Sequence, residues 1–170
     1  MKALIIFSLI STSLLAQTTE TEKPLFSVAA EKQSANDLSE EIINHIKEIF
    51  LACASAKDEV SARNAIVNMA QYVEKISALK KLLESTNKPT TTEKQAFAIQ
   101  MIAFETEISN IYTTMFETFQ NNTEDVNQLI EPPLSEIKLK IAPALAVINQ
   151  YYPREEMLKY IRTAKNKNSP

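Results

Sequence analysis

Glycine is absent from all 170 residues, where average usage of ~7% would place about eleven in residues 17–170. Phosphate-cradling loops, dinucleotide fingerprints and nucleophile elbows need glycine, because only it lets the backbone turn sharply or approach a ligand closely. Those function classes are excluded. Tight hairpin turns draw on the same residue, so an all-β fold is disfavoured as well. Histidine and cysteine are nearly absent too, with His45 and Cys53 the sole examples. One histidine cannot supply the two Glu-x-x-His pairs of a di-iron bundle, and Cys-x-x-Cys-His for covalent haem does not occur. A lone cysteine cannot close an internal disulfide. Cys53 falls on an apolar stripe beside Ile49 and Phe50, where a free thiol acts as a small hydrophobe. His45 sits near Glu41 and Glu48 on a helix surface, eight residues from Cys53, without the partners a metal site requires.

Only three arginines are present, Arg63, Arg154 and Arg162, which leaves little with which to clamp an anionic substrate. Basic residues number 18 against 21 acidic ones, for a net charge of −3. No cluster of Lys and Arg suits the neutralisation of phosphates, so nucleic acid is not an expected partner. The carboxylate pairs Glu40-Glu41, Glu105 with Glu107, and Glu155-Glu156 fall on polar faces. General acid–base work needs burial or a close partner to shift a pKa, so these read as solvated surface. The sequence thus assigns no catalytic, cofactor-binding or metal-ligating residue and implies no cofactor.

The chain opens on Met1-Lys2 and an apolar run from Ala3 to Leu15, interrupted by Ser8 and by Ser11 to Ser13. Ala16 follows as a small residue before the polar Gln17-Thr18-Thr19-Glu20. This is the pattern of a signal peptide over 1–16, cleaved after Ala16 or, alternatively, after Ser13. The run is shorter than the ~20 apolar residues of a bilayer span. Removing 16 of the 170 residues leaves 154, and the loss of Lys2 leaves 17 basic residues against 21 acidic ones, a net of −4. That length suits one domain. Residues 17–33 read as a flexible polar leader, 34–164 as a single helical domain and 165–170 as a disordered tail.

Within the domain, Leu38, Ile42, Ile46, Ile49, Phe50 and Cys53 recur at helical steps and predict a first helix over about 37–54. Asp58 or Ser61 caps a second, in which Ala62, Ile66, Met69, Val73 and Ile76 continue to Leu79, Leu82 and Leu83, ending near Ser85 before Pro89. Thr90 and Glu93 have capping-box spacing. A third helix, about 91–121, carries Phe97, Met101, Phe104, Ile108, Ile111 and Met115, widened by Ile102, Tyr112, Phe116 and Phe119. The expected fold is all-α: an up-down bundle built on a long antiparallel hairpin of helices two and three with coiled-coil-like packing, helix three central, and shorter C-terminal helices. Asn122-Thr123 begins a short helix that Pro132-Pro133 stops. Ser135 to Asn149 reads as helical with a break at Pro143, while Ile137, Leu139 and Ile141 alternate as a short strand would. Pro153 opens a last helix with Met157, Tyr160, Ile161 and Ala164 on its buried face.

The run Asp58-Glu-Val-Ser61-Ala62-Arg-Asn-Ala65, a long helix, an Asn-Lys-Pro-Thr turn and a second long helix resemble a group of uncharacterised exported bacterial helical-hairpin proteins. The resemblance covers about residues 55–120 and implies a periplasmic or extracellular setting, without an activity. The expected function is non-enzymatic and works through contacts with an unidentified protein partner, a homodimer being one form. The alternative is a carrier or chaperone-like binder of apolar ligands or clients on the Phe/Met stripe. Core packing is the plainer use of that stripe.

Overall fold

The computed structural model describes residues 33–167. Within them the chain is all-α and contains no strand: α1 Ala35–Ala54, α2 Glu59–Glu84, α3 Thr91–Asn121, α4 Glu124–Tyr151 and α5 Arg154–Lys167. The expected signal peptide over 1–16 and nearly all of the expected leader over 17–33 lie outside the described residues. Helix α5 runs to Lys167, three residues into the expected tail.

Three helices begin on reciprocal side-chain caps. Ser34 and Asp37 cap α1, Asp58 and Ser61 cap α2, and Thr90 and Glu93 cap α3; in each pair one side chain accepts from the N3 amide while the other serves the cap amide. The C-terminal ends show what a glycine-free chain does in place of left-handed caps. No described residue has positive φ. Hydroxyls and amides bind the orphan carbonyls instead. Ser85 Oγ and Thr86 Oγ1 donate to Leu82 O, and Tyr151 Oη donates to Leu83 O at 3.0 Å. Thr118 Oγ1 reaches Ala54 O at 3.0 Å, which also ties the ends of α1 and α3 together.

Helix α1, rather than α3, occupies the centre. Its closest neighbours are α2 and α3, while α4 lies along α2 and α5 along α3. The two long helices thus follow one another as expected, but each packs chiefly on α1 and not on the other. The reason is the width of the α1 apolar arc. Ile42, Ile43, Ile46, Ile49, Phe50 and Cys53 are all buried, which serves two neighbours. Cys53 faces Met69 of α2, and Phe50 meets the edge of Tyr112 of α3. By contrast α3 keeps Ile99, Tyr112 and Phe116 exposed. Parallel contacts from Asn36 to Glu93, Lys47 to Glu107 and Thr118 to Ala54 show that α1 and α3 run in the same direction.

Helix α4 departs most from expectation. It passes unbroken through Pro132, Pro133 and Pro143, and the alternating Ile137, Leu139 and Ile141 belong to it. An interior proline costs ~3 kcal/mol in isolation. Against this, Ile130, Leu134, Ile137, Ile141, Val147 and Ile148 are buried on one face, and each such side chain contributes roughly 1.5–3 kcal/mol. Ending the helix at Pro132 would turn that face off the core, so burial prevails.

At the end of α4, Tyr152 is 2% exposed and stacks on Phe97, with ring centroids 4.1 Å apart. Its hydroxyl donates to Asn36 Oδ1 at 2.6 Å, and Asn36 Nδ2 donates to Glu93 O at 2.8 Å. Burial raises the Tyr152 phenol well above its ordinary value. This clasp joins the starts of α1 and α3 to the end of α4.

Candidate interaction groove

Helices α2 and α4 run parallel, as shown by Tyr151 at the end of α4, whose hydroxyl proton is shared between Leu83 O and Thr86 O at the end of α2. Between them lies an open groove of about 790 Å³. Its floor is apolar, from Ile66 and Val73 of α2 and Pro133 and Ile137 of α4, with the small Ala70, Ser77 and Ala78 at its α2 edge. Glu74 and Lys81 stand on one rim, Glu136 and Lys140 on the other. Both rims therefore change from acidic to basic in the same direction. Ser77 Oγ is engaged by Val73 O at 2.9 Å, so the hydroxyl is spent on the backbone. The groove offers shape, apolar floor and ordered charge, which are binding features rather than a nucleophile set against a base.

The α2 surface beside this groove carries a heptad pattern. Val60, Val67, Glu74 and Lys81 repeat every seven residues, with Arg63, Ala70 and Ser77 between them, and all are exposed. Val60 and Val67 are 70% and 57% exposed, well above what a buried stripe would show. Arg63 pairs with Glu59 at 2.8 Å and does not line the groove.

The residues singled out in the sequence are scattered. His45 is half-buried beside Tyr72, ring centroids 5.5 Å apart, with Glu41 at 3.9 Å. Burial and then Lys75 lower its pKa, against the pull of Glu41 and Glu48. Cys53 is buried with Sγ 3.1 Å from Met69 Sδ, and burial pushes its pKa up to about 11. Among the described residues no group of three or more His, Cys, Asp or Glu could hold a metal ion. Of the carboxylate pairs, Glu107 is bound by Lys47 at 2.8 Å. Glu156 is bound by Lys94 at 2.8 Å and by the Tyr160 hydroxyl at 2.7 Å, which lower its pKa. Glu105 differs from the expected solvated surface, being half-buried with Oε1 enclosed and no hydrogen-bond partner among the described residues. The Phe/Met stripe is divided: Phe97, Met101 and Met115 enter the core, Phe104 and Phe119 pack against it, and Tyr112 and Phe116 remain exposed.

Sequence reasoning missed the groove because it ended a helix at Pro132. The signal was present in Ile130, Leu134, Ile137, Ile141 and Ile148, which keep helical steps across the prolines. No described helix is long and apolar enough to cross a membrane. The fold defines an all-α protein with a two-helix groove. Compared with known protein families, curated proteins and solved structures, the chain matches none.

Proposed function

We propose that this is an exported, non-enzymatic helical protein that acts by binding another polypeptide on its α2–α4 face. The observation that carries the reading is the groove itself, an apolar floor of about 790 Å³ between charge-ordered rims. Its apolar floor, charged rims and helix-lined walls suit an amphipathic helix laid along them. The export part rests on the charge, length and boundary pattern of residues 1–16 and on the resemblance to exported helical-hairpin proteins. What favours protein contact over carriage of apolar molecules is the use of Phe97, Met101 and Met115 in the core, which leaves Tyr112 and Phe116 as the exposed members of the stripe.

Photocrosslinking in the cells that make the protein tests this. A photoreactive group at Ala70 or Ser77 should yield a discrete protein adduct, and one at the exposed Thr113 of α3 should not. Equal adducts from all three positions, or none from the groove, would overturn the reading. Mass spectrometry of the same pool should find a first residue after Ala16 or Ser13; an intact Met1 would overturn export.

A further inference from the structure

The outer face of α2 is complementary to itself. In heptad terms Val60, Val67, Glu74 and Lys81 occupy one position, and Arg63, Ala70 and Ser77 the position three residues later. When two identical helices pack antiparallel, residues of the first set lie in layers with residues of the second set on the partner helix. One register places Val60 with Ser77, Val67 with Ala70 and Glu74 with Arg63, and the two-fold axis repeats each layer. Every layer then combines a larger apolar group with a small one, or an acid with a base.

Moving the register by one heptad spoils this. It sets Lys81 against Arg63 and Glu74 against Ala70. The favoured register also lays the acidic start of α2, Asp58 and Glu59, toward the basic end of its copy at Lys80 and Lys81. Helix dipoles in antiparallel pairs act in the same sense. In the single chain Glu74 makes no ion pair among the described residues, while Arg63 reaches only Glu59, one turn away on its own helix.

We infer that the partner on this face is a second copy of the chain, held by α2 against α2 in an antiparallel two-fold pair with Glu74 opposite the partner's Arg63. This rests on the reading of the α2–α4 face as a protein-binding surface and names its occupant. The interface is modest in apolar content, so the dimer is reversible and salt-sensitive.

Sedimentation velocity of the purified protein over a concentration series gives the dimer constant. Arg63→Glu and Glu74→Arg are exposed changes, checked for retained helix content and urea midpoint. Each alone sets two like-charge pairs across the axis and should weaken dimerisation by roughly tenfold or more. The double variant should regain wild-type association, because the charges are exchanged. Mixing the two single variants should give a heterodimer stronger than either alone. A wild-type chain that stays monomeric to ~0.5 mM, corresponding to less than the weakest useful affinity, overturns the inference. So does a dimer indifferent to both single changes, or one that neither the double variant nor the mixture restores. In those cases groove-specific crosslinks to a different protein would leave the proposed function standing, and their absence would remove both.

Discussion

Replacing Tyr152 in graded steps separates the two ways in which it holds the ends of three helices. The Phe variant keeps the ring stacked on Phe97 but removes the hydroxyl that donates to Asn36 Oδ1 at 2.6 Å. A net hydrogen bond contributes about 1 kcal/mol, and the part-buried Asn36 oxygen left behind raises the cost toward ~2 kcal/mol. The Ala variant also deletes a ring that is 2% exposed, and removal of a buried aromatic costs about 3–5 kcal/mol. Urea unfolding followed by circular dichroism should show the midpoint falling in the order wild type, Tyr152→Phe, Tyr152→Ala, with an unchanged slope. Melting temperatures should fall by about 2–4 °C per kcal/mol for a chain of this size. Asn36→Ala combined with Tyr152→Phe supplies the control. The two groups bind each other, so the combined loss should be smaller than the sum by roughly 0.5–2 kcal/mol. Equal losses for Phe and Ala at position 152, or strict additivity with Asn36→Ala, would refute the clasp.

Three further outcomes follow from local chemistry. Cys53 should resist alkylation at neutral pH in the folded protein and react on unfolding, because its thiol is enclosed and its pKa raised to about 11. The same shift works against the fold in alkali: above the ordinary thiol value of 9.0 the unfolded chain ionises first, so stability falls as pH rises toward 11. Glu156, whose pKa the Lys94 and Tyr160 hydrogen bonds depress, contributes stability above its ordinary value of 4.5 that is lost as pH falls through the depressed value. Lys94→Ala should flatten that part of an acid unfolding profile. Pro132→Ala, at an exposed site in α4, restores an amide donor toward Gln128 and should raise the urea midpoint by the equivalent of ~1 kcal/mol, less than the full helix cost because the unfolded chain also gains freedom.

The first three helices were legible to within a few residues. Their signals are local: caps at Asp58, Thr90 and Glu93, and apolar steps of three and four that only a helix places on one face. The proline-containing stretch was not legible in the same way. Proline's cost is local and visible in a sequence, whereas the burial of Ile130, Leu134, Ile137 and Ile141 that outweighs it requires a neighbour. The divided fate of the Phe/Met stripe has the same origin. Periodicity puts Met115 and Phe116 on one broad arc, and only the position of α1 decides that Met115 is covered and Phe116 is not.

What the amino-acid order determined alone is the first three helices and the sites where helices start, since each depends on backbone preferences within a few residues. The pairing of α1 with both long helices, the continuity of α4 and the groove it forms with α2 were decided by tertiary structure. Each depends on which apolar faces meet, and that is settled by the total surface buried rather than by any single segment.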